Sequence, residues 1–307
     1  MTTVNIPSFT PMPVMSSAKQ PSRPPLIFRA RRFAARRLAL LRTLRAPVYA
    51  APSPSALADI ERALRALAIE PVDYRPEQKA FADFCARFPF PESYLAAFPA
   101  AIRLEKQFEH FVAHDLLGLD GYTQADTYVD IAACASPWVE MLRQGSGLPA
   151  IAIDLAVAHS YSQLPYYQQQ NATATRFGSA SISGASLQCA YEMFQGNDDI
   201  ALLAELARVL KPGGRCVIAP LYLHTHHCGY STPEYYGRGY ADSGAKEYLR
   251  RDCWGVPFSR KYDADALLRR VLLPIEQHGM RYRLHMLRNA QDIAPGLYCH
   301  CILEIIR

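Results

Sequence analysis

The stretch that decides the fold is ALLAELARVLKPGGRCVIAPLYL, which runs from Ala201 to Leu223. Apolar side chains recur at helical spacing from Asp198 to Leu210, and the apolar run RCVIAPLYL (215–223) predicts a strand. Between them lies KPGG, Lys211 to Gly214, and glycine adopts at little cost the left-handed conformation in which helices often end. The stretch therefore predicts a helix, a tight turn and a strand, with KPGG as a folding element rather than a catalytic one.

The same strand, turn and helix pattern repeats along the chain after Gly121. Strands that alternate with helices imply a parallel sheet covered on both faces. The end of the chain differs, because a predicted helix from Asp263 to Gly279 precedes two strands joined by a short connection. The predicted strands are TYVDIAA (127–133), AIAID (150–154), SASISGASL (179–187), RCVIAPLYL (215–223), RYRLHML (281–287) and GLYCHCILEII (296–306). The predicted fold class is α/β, a doubly wound, mostly parallel sheet with a C-terminal antiparallel edge hairpin.

The residues before Gly118 have a different character, because all sixteen glycines lie at or beyond that position. Residues 1–58 hold nine Lys and Arg and no acid, whereas the rest of the chain carries 24 basic and 28 acidic groups. We therefore predict three parts. They are a basic Pro/Arg-rich N-terminal arm with an amphipathic helix (1–50), a helical cap (51–120) and the sheet domain (121–307). Residues 1–25 are rich in Pro, Ser and Thr, and we expect them to be mobile.

The amphipathic segment of the arm, residues 26–45, has three interpretations. Its arginines can form the solvated face of a helix packed on the body, adsorb to an anionic membrane or polymer, or belong to an organelle-targeting peptide. No stretch approaches the roughly 18 apolar residues of a membrane span, and the eight cysteines lack the spacing of a disulfide framework. We expect a cytoplasmic protein with reduced cysteines, and peripheral membrane contact through residues 26–45 stays open.

Two acids stand where a doubly wound sheet binds its ligand, beyond the carboxyl ends of the strands. Asp130 begins the loop DIAACASPW after the first predicted sheet strand, and Asp154 closes the next strand 24 residues later. In such a sheet the first loop brings backbone close to a cofactor, and the acid after the second strand accepts hydrogen bonds from ribose hydroxyls. The spacing of the two acids fits these roles.

At this point the sequence resembles a known family. DDIALLAELARVLKPGGRCVIAPLYL resembles the helix, turn and fifth strand of class I S-adenosylmethionine-dependent methyltransferases, and ISGASLQCAYEMF (182–194) resembles their fourth strand. More narrowly, VDIAACASPW (129–138), PLYL (220–223) and RKYDADALLRRV (260–271) resemble a bacterial methyltransferase-like subfamily with a VDIAxxxSP-type first loop. The resemblance covers residues 100–307 and implies a Rossmann-like fold with S-adenosyl-L-methionine as cofactor.

The resemblance also implies which residues hold that cofactor. The loop from Asp130 to Ser136 would face its amino-acid end, and Asp154 would hold its ribose. The implied cofactor-binding residues are Asp130, Ala132, Cys134, Ser136, Asp154, Asn171, Ala172, Gln188 and Cys189. The first loop departs from the family because it contains no glycine, which alanine can replace easily only where φ is negative. The missing glycines also argue against a dinucleotide dehydrogenase.

Methyl transfer to an oxygen also needs a base. The segment HTHHC, His224 to Cys228, follows the fifth strand, and Glu192 follows the fourth. We predict that His224, His227 or Glu192 is catalytic, and His226 could serve in the same way. Histidine and cysteine are also zinc ligands, but adjacent His226 and His227 point apart on an extended segment and no second ligand pair accompanies them. We therefore predict no metal site.

A long connection from Tyr222 to Tyr262 holds seven tyrosines and Trp254. It is either a lid or binding loop suited to a sugar or flat acceptor, or an irregular insertion with aromatic packing. We predict an O-methyltransferase acting on a small polar or glycan-like acceptor. The alternative is a catalytically inactive methyltransferase-like scaffold or regulatory subunit, motivated by the glycine-free loop and by Asn171 at a position where the family has an acid. Nucleic acid is a less favoured partner, because no Asn-Pro-Pro-Tyr-type motif follows the fourth strand.

Overall fold

A computed structural model describes residues 26–238, 242 and 244–307, with residues 26–33 as backbone only. The mobility predicted for residues 1–25 lies outside these residues. The described residues fall into two units, one that includes residues 26–44 and one of residues 45–307, and each is described by itself. Among the described helices, none is both long enough and apolar enough to cross a membrane.

The first unit contains helix α1 (Leu26–Arg42). The helix expected over residues 26–45 is therefore present, and it ends three residues earlier than the arginine-rich pattern does. The Thr43 hydroxyl donates a hydrogen bond to the Ala39 carbonyl over 2.9 Å, which satisfies one of the carbonyls that a helix end leaves unpaired. Contact with an anionic membrane through residues 26–45 stays a prediction.

The second unit is built around an eight-stranded sheet and carries a smaller three-stranded one. The strands are β1 (Val72–Tyr74), β2 (Tyr128–Ile131), β3 (Ala150–Asp154), β4 (Tyr167–Gln169), β5 (Ile182–Gln188), β6 (Leu210–Ala219), β7 (Cys228–Ser231), β8 (Lys246–Leu249), β9 (Ser259–Lys261), β10 (Arg281–Leu287) and β11 (Cys301–Ile306). The large sheet has the order β1-β10-β11-β6-β5-β2-β3-β4. All its neighbouring pairs are parallel except the two that β11 makes with β10 and β6. This is the predicted doubly wound, mostly parallel α/β sheet.

Helices cover both faces of this sheet. They are α2 (Pro54–Ala66), α3 (Gln78–Arg87), α4 (Glu92–Leu95), α5 (Arg103–Leu117), α6 (Trp138–Ser146), α7 (Asp198–Val209), α8 (Ala264–Leu267), α9 (Leu273–Gln277) and α10 (Ala290–Ile293). A π-helical turn joins α8 to α9, so the helix predicted from Asp263 onwards is present with one wide turn. One apolar core lies under α2, α7 and α8, and the other lies under α3, α5 and α6.

The position of the C-terminal hairpin differs from the prediction. Strands β10 and β11 do pair antiparallel, but β1 pairs parallel with β10 and so occupies the sheet edge. Strand β1 has only three residues, VDY, which is too short for a period-two pattern to stand out from the helices around it. The predicted cap, 51–120, also supplies α5, which packs on β5 and β6. The division into parts 1–50, 51–120 and 121–307 stays a prediction.

The KPGG element also differs in detail from the predicted turn. Helix α7 ends at Val209, and β6 already begins at Leu210, with a shift in its register against β5. Gly213 has the expected left-handed conformation, with φ of 78°. At Gly214 a side chain would place its Cβ 2.8 Å from the Lys211 carbonyl oxygen, so only glycine fits without a shift. The element is a bulge that opens a strand.

The long connection after β6, from Tyr222 to Tyr262, is more regular than predicted. It contains β7, β8 and β9, which form the small sheet in the order β8-β7-β9. Strand β7 pairs parallel with β8 and antiparallel with β9. The interpretation of this connection as an irregular insertion is therefore wrong for these three strands.

A buried arginine, Arg260 in β9, ties the small sheet to helix α7. Its guanidinium lies 3.0 Å from the Asp199 carboxylate at the start of α7, and it donates a hydrogen bond of 2.7 Å to Asp242 in the connection before β8. Arg270 and Tyr262 also donate to Asp199, at 2.7 and 2.8 Å. Because each buried charge here has several partners, the network fixes the position of the connection.

We expect Arg260→Met to lower the free energy of unfolding by about 3–5 kcal/mol, because it leaves buried carboxylates without their shared cation. Urea denaturation followed by circular dichroism measures the loss. The matched control is Lys79→Met, which removes an exposed partner of Asp83 and should change stability by less than about 0.5 kcal/mol. Equal, small effects of the two substitutions would show that the buried network does not stabilise the fold.

Candidate active site

The order of strands in the large sheet reverses between β2 and β5, so the loops after these strands open a crevice at their carboxyl ends. Asp130 lies in this region, near the end of β2, and only 1% of its surface is exposed. Neither of its carboxylate oxygens has a hydrogen-bond partner. Burial raises the pKa of Asp130 well above its usual value, and the nearby charge of Asp154 raises it further. Burial of a carboxylate without a partner costs free energy unless a ligand supplies a cation or a hydrogen-bond donor to it.

The loop that follows Asp130 adopts the conformation that glycine favours, although it contains no glycine. Ala132 has φ of 57° and Cys134 has φ of 51°. Ala132 therefore lacks the negative φ at which alanine replaces glycine easily. Such left-handed residues are strained, and strain of this kind clusters at functional sites.

Asp154, at the end of β3, holds this loop in place. Its carboxylate accepts hydrogen bonds from the backbone N–H groups of Cys134, at 2.8 Å, and Ala156, at 3.0 Å. Cys134 is exposed, whereas Ser136 is buried and its hydroxyl lies 3.3 Å from Nε2 of His110 in α5. The structure thus brings Asp130, Asp154 and the loop between β2 and α6 together at one edge of the sheet.

Asn171 and Ala172 lie beyond β4, next to this edge. The Asn171 carbonyl oxygen accepts hydrogen bonds from the N–H and the hydroxyl of Thr173, both at 3.0 Å. Asn171 is exposed and Ala172 is buried. The amide of Asn171 therefore shapes its own turn and keeps its NH₂ group at the surface.

Gln188 and Cys189 end β5 opposite Asp130. The Gln188 amide donates to the Ser186 hydroxyl over 2.6 Å, and Cys189 has a left-handed φ of 50°. The Cys189 thiol lies 3.4 Å from Oε1 of Glu192, and the other carboxylate oxygen of Glu192 is buried without a partner. Burial raises the pKa of Cys189 to about 12, so it is a protonated thiol at neutral pH. Glu192 thus presents one uncommitted acceptor oxygen.

Around Cys189 and Glu192 lies a set of polar side chains that sequence analysis missed, and we call it the buried polar cluster. The Cys189 thiol is 3.4 Å from the Tyr222 hydroxyl, and the Tyr222 ring stacks on Tyr298 with 6.4 Å between centroids. The Tyr298 hydroxyl donates to Glu109, which Lys106 holds at 2.8 Å. The cluster comprises Lys106, Glu109, Cys189, Glu192, Tyr222, Lys261 and Tyr298.

Two cations of this cluster are almost fully buried. Lys261, in β9, is 2% exposed; its amine donates to the Ser259 hydroxyl over 2.8 Å and lies 3.6 Å from the centre of the Tyr222 ring. Lys106 pairs with Glu109 one helical turn away, and burial raises the pKa of Glu109 above its usual value while the ammonium limits the rise. A Lys-x-x-Glu spacing is common on exposed helix faces, so the spacing does not indicate that Lys106 and Glu109 are buried. The only sequence signal for their burial is the aromatic residues around them, such as Phe108 and Phe111.

The predicted catalytic histidines have other partners than Glu192. His224 contacts the Ala50 carbonyl through Nε2 at 3.3 Å, and His227 stacks on Tyr262 with its Nε2 3.6 Å from Asp242. Burial lowers the pKa of His224. Within the described ranges, no hydrogen bond or ring contact links either histidine to Glu192 or Cys189. Of the three predicted bases, Glu192 alone therefore lies in the buried polar cluster.

Comparison with known proteins identifies the central part of this site. Residues 129–218 match a family model described as a methyltransferase domain. The fold is similar to that of the Burkholderia thailandensis 1,6-didemethyltoxoflavin N1-methyltransferase, which was crystallised with its substrate and S-adenosylhomocysteine. The identity is 14% and the TM-score 0.44, over 78% of this chain and 93% of that one.

A second similar structure is an S-adenosylmethionine-dependent methyltransferase from Aquifex aeolicus. Its identity is 15% and its TM-score 0.40, over 71% of this chain and 98% of that one. No curated protein sequence matches the chain.

We expect Ala132→Gly to raise the free energy of unfolding by about 0.5–1 kcal/mol, because relief of the left-handed strain outweighs the flexibility that glycine adds to the unfolded chain. Thermal unfolding followed by circular dichroism measures the change. The neighbour Ala133 lacks a positive φ, so Ala133→Gly should destabilise by roughly 1 kcal/mol. If both substitutions destabilise equally, the loop is not strained at Ala132.

Proposed function

Because residues 129–218 match a methyltransferase domain, we propose that the chain is a class I, S-adenosylmethionine-dependent methyltransferase that methylates an oxygen atom of a small polar, glycan-like acceptor. In this proposal the chain is an enzyme, and S-adenosylmethionine is its methyl donor. The observation that carries the proposal is the pair of buried carboxylates, Asp130 and Glu192, whose unpartnered oxygens lie at the carboxyl ends of β2 and β5.

The residues of this crevice fit the cofactor. Asp130, buried and without a hydrogen-bond partner, suits the ammonium group of the methionine part. Asp154 is partly exposed at the end of β3, where it can accept hydrogen bonds from ribose hydroxyls while it holds Cys134. S-adenosylmethionine supplies an electrophilic methyl group on a sulfonium, and S-adenosylhomocysteine remains after transfer. The protein's own task is to position the acceptor and exclude water.

Glu192 is our candidate for the proton acceptor. As an acceptor hydroxyl forms its bond to the methyl carbon, its proton passes to the free carboxylate oxygen of Glu192, and the second oxygen keeps its contact with the Cys189 thiol. Cys189 is a poor nucleophile here because its thiol stays protonated. The buried position of Glu192 keeps water from competing for the proton. His224 and His227 become less favoured as bases, because within the described residues neither makes a hydrogen bond or a ring contact with Glu192 or Cys189.

The acceptor class is supported by the side chains around Glu192. The Tyr298 ring, which stacks on Tyr222, is partly exposed and so can present an apolar face to a sugar ring. The Tyr222 hydroxyl and the Lys106 ammonium offer donors to an acceptor with many oxygens. An aromatic face beside hydrogen-bond donors suits a polar ring better than an aliphatic chain.

The alternative remains a methyltransferase-like scaffold or regulatory subunit without catalysis. The observation that favours it is the left-handed conformation of Ala132 and Cys134, whose Cβ atoms occupy space that glycine leaves free in related loops. The two proposals differ in whether the chain binds the cofactor and turns it over, and both properties can be measured.

Isothermal titration calorimetry with S-adenosylmethionine tests the cofactor site. We expect binding to the unmodified chain and an affinity about 10- to 100-fold lower for Asp154→Asn, because hydrogen bonds to a charged carboxylate contribute about 1.5–3 kcal/mol. Asp126→Asn is the control, since Asp126 also accepts a backbone N–H, from Thr123, but precedes the opposite end of β2. Absence of binding to the unmodified chain would favour the scaffold.

Release of S-adenosylhomocysteine with a panel of methyl glycosides, phenols and amines tests the reaction. We expect turnover with oxygen acceptors, and Glu192→Gln should lower kcat about 100-fold or more while cofactor affinity is unchanged, because a positioned base contributes 10²–10⁴-fold. Glu140→Gln, which alters a carboxylate bonded to Tyr166, should keep full activity. Turnover with amines alone contradicts O-methylation, and full activity of Glu192→Gln contradicts the assigned base.

A further inference from the structure

The segment HTHHC leads into β7 and brings three metal-ligand side chains together. One ring nitrogen of His224, one of His226 and the Cys228 sulfur lie within 4.8 Å of one another. The two histidines are half-buried and the cysteine is fully buried. The adjacent pair His226 and His227 does not form this group, whereas the alternate residues His224, His226 and Cys228 converge around a bend at residues 225 and 226. In the part of the chain that the structure describes, this is the one group of three such residues.

The outer nitrogens of both imidazoles are already held. Nε2 of His224 contacts the Ala50 carbonyl oxygen at 3.3 Å, and Nε2 of His226 contacts the Tyr248 hydroxyl at 2.8 Å. A carbonyl can only accept, so Nε2 of His224 carries the proton and its Nδ1 has a free lone pair. Metal-binding histidines are oriented in this way by an oxygen acceptor on the nitrogen that does not bind the metal.

The inner nitrogens share a neutral neighbour. Nδ1 of His224 and Nδ1 of His226 each lie 3.3 Å from the Thr225 hydroxyl. A single hydroxyl has only one proton to donate, so it cannot satisfy both imidazoles at once. When Nε2 of His226 donates its proton to the Tyr248 hydroxyl, both inner nitrogens carry lone pairs, and at least one of these is available to a cation between them.

We propose that His224, His226 and Cys228 bind a divalent transition metal of the zinc type, with three protein ligands and a fourth position open. Two imidazole nitrogens and a thiolate are a ligand set that such ions prefer to carboxylate-rich sites. On binding, the Cys228 thiol releases its proton to the solvent, and the thiolate neutralises one of the two positive charges. Nothing in the methyl transfer proposed above depends on this ion.

The distances allow the site to close by small side-chain rotations. Metal–ligand bonds of about 2.0–2.3 Å in a tetrahedron place ligand atoms about 3.3–3.7 Å apart. The three ligand atoms now lie within 4.8 Å of one another. To bind one ion they must approach one another by about an ångström, while the Thr225 hydroxyl turns away. His227 takes no part, because its ring stacks on Tyr262 and its Nε2 lies near Asp242.

The position of the site relates it to the acceptor region. Cys228 pairs across the small sheet with Lys261, a member of the buried polar cluster, so the two side chains adjoin on one face. The Lys261 amine is directed to the Ser259 hydroxyl and the Tyr222 ring, which leaves the Cys228 sulfur to the histidines. A metal ion here would stand beside the cluster that holds Glu192.

Cobalt(II) titration of the metal-free full chain tests the proposal. We expect one equivalent to bind, with the visible bands of a tetrahedral ion and the near-ultraviolet charge-transfer band of a thiolate ligand. Cys228→Ser should lose the charge-transfer band, and His226→Gln should weaken binding by more than tenfold. Tyr248→Phe removes only an outer partner and should weaken binding about 10- to 100-fold. Zinc(II) should displace the cobalt and abolish the colour.

His227→Gln and Cys85→Ser are the matched controls, because they remove an adjacent imidazole and a half-buried thiol outside the site. Both should bind cobalt as the unmodified chain does. If the unmodified chain binds no cobalt, or binds it without the thiolate band, the proposal is wrong. Should Cys228→Ser fail to fold, the spectrum of the unmodified chain and the affinity of His226→Gln still decide the question.

Discussion

Everything described here depends on the way parallel strands must be connected. A strand can return parallel to its neighbour only by crossing over one face of the sheet, so every such strand delivers its following loop to the same edge. In this chain the crossovers run one way from β2 to β4 and the other way from β5 to β6. The crevice between the two directions is where Asp130, Glu192 and the left-handed loop meet. Residues separated by 62 positions thereby share a single environment.

The regular part of this arrangement could be predicted because its signals are local. Ala201 to Leu223 shows helical spacing, then KPGG, then an apolar run, and each signal lies within a few residues of the element that it specifies. The same holds for Asp154 at a strand end. Strand β1 was not predicted, because three residues are too few to show a period-two pattern. Its place beside β10 depends on contacts between residues more than 200 positions apart.

The site was only partly predictable, for a different physical reason. Asp130, Asp154 and Glu192 follow strands and could be identified from their position. Lys106, Lys261 and Tyr298 became part of the site through burial, and burial depends on the packing of α5, β9 and the segment before β11 against one another. Lysine and tyrosine on helices and strands are ordinarily solvated, so no local pattern distinguishes them. The backbone conformation of Ala132 was equally hidden, since alanine gives no sign of a positive φ.

The buried position of Arg260 has a consequence for how this sequence can change through evolution. Its guanidinium neutralises one acid at the start of α7 and another in the connection between β7 and β8. A relative that lost that connection together with β9 would lose Arg260 and Asp242 at once and would retain a buried acid at position 199. The small sheet and Asp199 should therefore be inherited together. An alignment of relatives would reveal this as covariation among three positions that are far apart in the chain.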